Sequence, residues 1–156
     1  MNEASPPWVL LRGLTREAGH WGDLPARIAA TLGVQVHALD LPGNGARWRE
    51  RSPSSIEALA DSVRNSAQAS GLTRPVKVLA LSLGGMVAMN WAERHPQELA
   101  QLVLVGTSAR PHAPLHWRLR PRAALRLLCA LPGGDAAIER SVLAVTSAGR
   151  DDAVLP

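Results

Sequence analysis

The chain has 156 residues, enough for one domain and too few for two of ordinary size. With 46% hydrophobic and 19% charged residues, it has the composition of a protein with a packed core, which excludes wholesale disorder. The net charge is +4, but Phe and Tyr are absent and five Trp supply all the aromatic side chains, so a base-stacking nucleic-acid surface is not expected.

The predicted elements alternate between strand and helix. Short apolar runs predict four strands, at residues 8–11, 34–39, 76–81 and 102–105. Apolar residues at helical spacing predict three helices between them, at residues 23–32, 54–69 and 86–94. Gly33 suits the end of the first helix, and Ser54 or Ser55 can cap the second. This order is typical of the α/β class, with a parallel sheet covered by helices on both faces.

The pattern changes after Val105. Residues 107–121 hold three prolines and two histidines and contain no strand-like run. Two further helices are predicted at residues 123–131 and 136–145. We therefore expect a core over residues 1–108, followed by a helical cap or lid segment over residues 109–156.

The segment 76–96 contains the residues best suited to chemistry. A buried strand runs directly into Ser82, and a helix follows with no linker. So tight a turn strains the backbone at Ser82, and small residues two positions away on each side, Ala80 and Gly84, let the chain pass. The Ser82 hydroxyl should then project above the sheet, with the N–H of Leu83 directed to where an oxyanion would form. The alternative interpretation is a serine that only caps the helix.

Several segments of the chain resemble segments of the α/β-hydrolase family and follow one another in the family's order. The turn at Ser82 resembles the nucleophile elbow G-x-S-x-G, with alanine in the place of the first glycine. The sequence WVLLRGL at residues 8–14 looks like the first family strand and its oxyanion loop, with Arg12 where the family usually has histidine. The sequence VHALDLPGNG at residues 36–45 is similar to the strand and D-x-P-G-x-G loop, and residues 93–108 look like the end of the elbow helix and the next strand.

This resemblance implies a serine hydrolase that acts on carboxylic esters. Ser82 would attack the acyl carbon, and the main-chain N–H groups of Leu14 and Leu83 would hold the oxyanion. Water would then release the acid product, with no cofactor and no metal. Within the family, the nearest likeness is to the compact esterases that act on small acyl esters or on carrier-bound acyl groups.

A serine hydrolase of this kind also needs a histidine base and an acid, which in the family follow the serine in the order acid, then histidine. His95 is expected at the far end of the elbow helix, which carries it away from the serine. His112 and His116 fall among prolines and arginines of the cap segment. His20 and His37 precede the serine, against the family order.

The acid is equally open. Asp151 or Asp152 could follow an acid-bearing strand, but residues 138–145 also fit helical spacing, and no histidine comes after Asp152. A sheet ending at the strand 102–105 would also present an unpaired apolar edge. We therefore expect this chain to be the N-terminal portion of a hydrolase of about 250 residues, without serine-dependent turnover by itself.

A cluster of arginines lies in the expected cap segment. Its members relevant to binding are Arg118, Arg120, Arg122 and Arg126. Two interpretations stay open, a solvated face of the cap or a surface that recognises an acidic partner such as an acyl-carrier protein.

Other features bear on location and on rival functions. The single cysteine, Cys129, excludes an internal disulfide, and the absence of a signal-like or membrane-spanning run predicts a cytoplasmic protein without a stable membrane anchor. A degenerate hydrolase fold that binds a ligand or an acidic protein partner remains the alternative function. A nucleotide-binding domain fits least, because neither glycine-bearing loop has a phosphate-binding pattern.

Overall fold

The computed structural model describes residues 5–108, 125, 129–134, 137, 140 and 141. The chain divides into two compact units, Met1–Ala109 and Arg110–Pro156. In the second unit the described bounds are those of a short 3₁₀ turn, Leu131–Gly133, and most of the two helices predicted at 123–131 and 136–145 lies outside the described residues.

The first unit contains a four-stranded sheet. Its strands are β1 (Trp8–Leu11), β2 (Val36–Leu39), β3 (Val76–Leu81) and β4 (Leu99–Val105). They lie in the order β2-β1-β3-β4, and all three pairings are parallel. The carboxyl ends of all four strands therefore meet at one edge of the sheet. The predicted α/β class with a parallel sheet is confirmed.

Three helices connect the strands: α1 (Leu24–Leu32), α2 (Ile56–Ala69) and α3 (Leu83–Arg94). Gly33 ends α1 in the left-handed conformation, with φ of 63°, as its position in the sequence predicts. Ser55 caps α2, because its Oγ accepts a hydrogen bond from the Ala58 N–H at 3.2 Å. Within the described residues, no helix is both long enough and apolar enough to cross a membrane.

Strand β2 and helices α1 and α2 begin one or two residues later than the sequence predicts. Two other elements begin three residues earlier than predicted. Strand β4 begins at Leu99, not at residue 102, since Leu99 pairs with Val76 of β3. Helix α3 begins at Leu83, not at residue 86, since the Ser82 carbonyl already accepts the first two helical hydrogen bonds.

The hydrophobic core is formed by β1, β3, α2 and α3. Trp91 of α3 is its largest fully buried side chain. Other buried members are Val9, Leu11, Leu59, Val63, Val76, Val78 and Val87. Each such Val or Leu side chain stabilises the fold by about 1.5–3 kcal/mol relative to an exposed one. This packing fixes α3 against β1 and β3, and so fixes the turn that joins β3 to α3.

A buried carboxylate joins α2 and α3 to the start of β4, at the amino ends of the strands. Glu98 is 8% exposed and accepts hydrogen bonds from Arg64 at 2.7 and 2.9 Å, from Trp91 Nε1 at 2.8 Å and from Arg74 at 2.5 Å. The Arg64 hydrogen bonds, with smaller effects of Trp91 and the Arg74 charge, outweigh burial and lower the pKa of Glu98 to about 2. In turn, the hydrogen bond to Glu98 raises the pKa of Arg64.

We predict that Glu98→Gln lowers the free energy of unfolding by about 3 kcal/mol at neutral pH, because two guanidinium groups lose their charged partner. The folded-state pKa of Glu98 lies below its ordinary value of 4.5. Its contribution to stability is therefore complete above that value and is lost as the pH falls toward 2.

Urea unfolding at several pH values checks this. The difference between the wild-type protein and Glu98→Gln should shrink steadily on acidification, and a difference that does not change with pH contradicts the prediction. The matched control is Glu93→Gln on α3, since Glu93 is exposed and forms no ion pair with the described residues. It should change stability by less than about 0.5 kcal/mol.

Candidate active site

The carboxyl edge of the sheet brings together the polar residues that follow each strand. Gly13 lies just after β1, Asp40 follows β2, Ser82 follows β3, and Thr107 comes two residues after β4. Because β1, β3 and β4 are neighbours, the segments that follow them converge on Ser82.

The backbone of Ser82 is strained. Its φ is 51° and its ψ is −117°, although it is not glycine, and its side chain is exposed. The Ser82 N–H donates to the Val105 carbonyl at 3.1 Å, and its carbonyl accepts from the Thr107 hydroxyl at 2.7 Å. Such strain costs about 1–3 kcal/mol and persists only where the surroundings impose it. Here the hydrogen bonds to the end of β4 impose it.

Two glycines allow the turn to sit this close to its neighbours. A Cβ atom added to Gly84 would lie 2.5 Å from the Arg12 carbonyl oxygen, and one added to Gly85 would lie 2.6 Å from Thr107 Cβ. Ala80, in the position of the first glycine of the elbow pattern, is fully buried, so a methyl group fits there. Helix α3 can therefore begin directly against the ends of β1 and β4.

The two candidate oxyanion donors are the N–H groups of Leu83, which follows this serine, and of Leu14 in the loop after β1. A Cβ atom added to Gly13 would lie 3.0 Å from Ser82 Cβ and 3.5 Å from Ser82 Oγ, so the loop before Leu14 touches the serine side chain. Within the described part of the chain, neither the Leu14 N–H nor the Leu83 N–H donates to a backbone carbonyl. The Leu83 N–H also lies at the positive end of α3.

Asp40 organises the loops around the site, a role that sequence reasoning missed. Its Oδ1 accepts from the Ala18 N–H at 2.6 Å and its Oδ2 from the Ala46 N–H at 2.9 Å. It thereby joins the segment after Leu14 to the loop after β2. Gly45 packs on this carboxylate, where a side chain would collide with it. The available signal was the glycine five residues after an aspartate that ends a strand.

None of the described histidines is hydrogen-bonded to Ser82, and two of them lie away from it. His95 caps the C-terminus of the 12-residue helix α3 and is therefore about 18 Å along it from the serine. His37 lies on β2, which β1 separates from β3. His20 is exposed, and its Nδ1 accepts from the Glu17 N–H at 3.2 Å. No hydrogen bond joins Ser82 Oγ to any of these three residues. His112, His116, Asp151 and Asp152 lie outside the described residues, as do Arg118, Arg120, Arg122 and Arg126.

A cationic side chain follows β1 beside the candidate oxyanion loop. The Arg12 guanidinium stacks over the Trp21 ring at 4.9 Å from its centroid. Burial, with a smaller effect of the Arg16 charge, lowers the pKa of Arg12. In the described part of the chain, no group of three or more His, Cys, Asp and Glu side chains could hold a metal ion.

The comparisons with known proteins give the family. A model of the alpha/beta hydrolase fold matches residues 6–127. The chain belongs to the alpha/beta hydrolase family. The match covers the strained serine turn, the segment that follows β1 and the loop that holds Asp40.

Relatives within this hydrolase family are similar to the chain over part of their length. It is 38% identical over 117 residues to the pimeloyl-[acyl-carrier protein] methyl ester esterase of Chromobacterium violaceum, covering 69% of this chain and 42% of that protein. It is 37% identical over 111 residues to the enzyme of that name from Neisseria meningitidis serogroup C, covering 70% and 40%. The chain thus spans about two fifths of the length of these curated relatives.

Solved structures agree with the family assignment. The thermophilic esterase of Thermogutta terrifontis superimposes with a TM-score of 0.61 at 28% identity, covering 80% of this chain and 45% of that one.

We predict that Gly84→Ala lowers the free energy of unfolding by about 1–3 kcal/mol, because the new methyl group meets backbone that cannot move aside. Gly19→Ala is the control, since its Cβ would meet only the Glu17 carboxylate, at 3.4 Å. It should lie within about 0.5 kcal/mol of the wild-type protein. Denaturant unfolding measures both, and equal effects of the two variants would contradict the packing described for the turn.

We also predict that Asp40→Asn loosens the loop that carries Leu14. Asparagine has one acceptor oxygen, so either Ala18 or Ala46 loses its partner at a cost of about 2 kcal/mol. In the full-length protein, the rate at which a fluorophosphonate labels Ser82 should fall about tenfold. Asp23→Asn is the control, because Asp23 is exposed and its side chain caps nothing. Equal labelling rates in the two variants would exclude a positioning role for Asp40.

Proposed function

We propose that Ser82 is the nucleophile of a carboxylic ester hydrolase. The observation that carries this proposal is the strained and exposed serine, held by the end of β4 at the start of α3 with Gly13 against its side chain. A serine that only caps a helix needs neither the strain nor the converging loops. In addition, the Ser82 side chain makes no capping hydrogen bond to α3.

The reaction follows from the position of these groups. Ser82 Oγ attacks the acyl carbon as a base takes the hydroxyl proton, and the carbonyl oxygen becomes an oxyanion. The N–H groups of Leu14 and Leu83 hold that oxyanion, with each donor worth about 3 kcal/mol. The C–O bond to the alcohol then breaks, the alcohol leaves with the proton, and an acyl-serine remains. Water attacks this ester by the same route, which releases the acid and restores Ser82.

The base and its orienting acid come from outside the described residues. Support for this is that none of the described histidines forms a hydrogen bond with Ser82 Oγ. The chain is proposed to supply the nucleophile, the oxyanion donors and the loop framework, whereas proton transfer needs a histidine contributed elsewhere in the protein.

The proposed substrate is an acyl ester carried on an acidic carrier protein. The two relatives compared above are named for pimeloyl-[acyl-carrier protein] methyl ester. For such a substrate the leaving alcohol is methanol. We extend the proposal to residues 109–156 as the cap, where the arginines at 118, 120, 122 and 126 would face the carrier.

We predict that, in the full-length protein, a fluorophosphonate probe labels the tryptic peptide 78–94, which contains Ser82. Hydrolysis of a pimeloyl methyl ester on its carrier should fall by about 10⁴-fold or more in Ser82→Ala, since the attacking oxygen is gone. Ser70→Ala is the control. Ser70 lies at the C-terminal end of α2, and its hydroxyl donates to the Ser66 carbonyl of that helix. The activity of this variant should remain within twofold of the wild-type value.

Labelling and turnover distinguish an ester hydrolase from a degenerate hydrolase fold that only binds a partner. A degenerate fold that only binds its partner would give neither, even in the complete protein. Hydrolysis that survives in Ser82→Ala would assign the nucleophile to another residue.

A further inference from the structure

The loop that follows β2 presents a large aromatic side chain to solvent. Trp48 is 64% exposed, and the Arg49 guanidinium stacks over its ring at 4.7 Å from the centroid. Burial of an indole is strongly favourable, so an indole held in solvent beside a cation is typical of a contact surface. Trp and Arg are also the residue types that dominate binding energy at protein interfaces.

The loop around Trp48 is held in place before any partner binds. The Arg47 guanidinium donates to Glu50 at 2.5 and 2.7 Å, to Ser62 Oγ at 2.7 Å and to Ser66 Oγ at 3.1 Å. The two serines lie on α2, so the loop is fastened to a helix of the core. A surface fixed in this way loses little conformational entropy when it binds.

The charges on this loop are unevenly used. Arg47 and Glu50 neutralise each other. Arg49 and Arg51 are exposed and, in the described part of the chain, form no ion pair. The surface formed by Trp48, Arg49 and Arg51 is therefore aromatic and positively charged, and it has unused donors for carboxylates.

The loop that carries this surface leaves the sheet at the same edge as Ser82. Strand β1 alone separates β2 from β3, and neighbouring strands are about 4.8 Å apart, so the ends of β2 and β3 are about 10 Å apart. A macromolecule seated on Trp48 could present an attached acyl chain to Ser82 from the side of β2.

We propose that Trp48, Arg49 and Arg51 form a docking surface for the acidic carrier protein that delivers the ester to Ser82. The proposal rests on the proposed function, which supplies the carrier. Charge complementarity selects the occupant, because two unpaired guanidinium groups favour a surface rich in Asp and Glu. The indole supplies the apolar contact at its centre.

The test measures binding without turnover. In the complete protein carrying Ser82→Ala, a fluorescently labelled acyl-carrier protein loaded with a pimeloyl methyl ester is titrated and the anisotropy is recorded. Trp48→Ala and the double variant Arg49→Gln/Arg51→Gln should each raise the Kd about tenfold or more. The double variant should also bind with a weaker dependence on salt, because exposed charges act through screened attraction.

The matched control is Arg94→Gln. Arg94 is exposed at the C-terminal end of α3, on the opposite edge of the sheet, where it pairs with Asp61 at 3.0 Å. This control removes one positive charge, against two in the double variant, and should leave the Kd within twofold. In the Ser82-containing protein, all these variants should hydrolyse p-nitrophenyl butyrate within twofold of the wild-type rate, since this ester has no carrier.

Each outcome decides for or against the surface. Unchanged affinity in Trp48→Ala and Arg49→Gln/Arg51→Gln would overturn it, as would equal losses with the carrier and with the small ester. If the protein binds phosphatidylglycerol vesicles through these three residues and does not bind the carrier, the surface is a lipid-binding site and the proposal is wrong. Carrier binding that depends on these residues, in a protein that hydrolyses no ester, would support the surface and overturn the proposed function.

Discussion

The positive φ of Ser82 is the constraint on which the candidate site depends. It is maintained by the strands β1 and β4 on either side of β3. The turn from β3 to α3 is tight enough only because the ends of β1 and β4 lie on either side of it. Val105 and Thr107 hold its backbone by hydrogen bonds, while Gly13 and Gly84 let β1 approach without a side chain. If β1 and β4 were not neighbours of β3, the strain would be released.

Arginine side chains have two roles in the described part of this protein. Those that contact a carboxylate hold elements of the fold together, and exposed ones without an ion pair keep their charge for a partner. At the amino edge of the sheet, Arg64 and Arg74 share Glu98 and join α2 to the start of β4. At the carboxyl edge, Arg47 takes Glu50 and fastens a loop to α2. The ion pairs of Arg64 and Arg74 with Glu98 stabilise the fold because they are largely buried. Exposed arginines contribute little to stability, and their charge stays available to an anionic partner.

Asp40 shows why local sequence patterns find a nucleophile more easily than the groups that support it. A strand, a serine and a glycine-containing helix start are adjacent in the chain, so the turn at Ser82 can be predicted from one short segment. Asp40 acts through Ala18 and Ala46, which reach it only after β1 and β2 have paired. Likewise, the start of β4 depends on its pairing with β3 and not on its own residues alone.

By itself, the sequence determined the α/β class, the number and order of the strands and helices within residues 8–105, and the serine at the sharpest turn. Those features follow from apolar runs, helical spacing and glycine positions, all of which are local. Tertiary structure alone decided that Gly13 touches Ser82, that Asp40 joins two loops, that His95 lies a helix length away and that Trp48 stays exposed. Each of these depends on the distance between residues far apart in the chain, which is set only when the parallel strands pair and the helices pack on them.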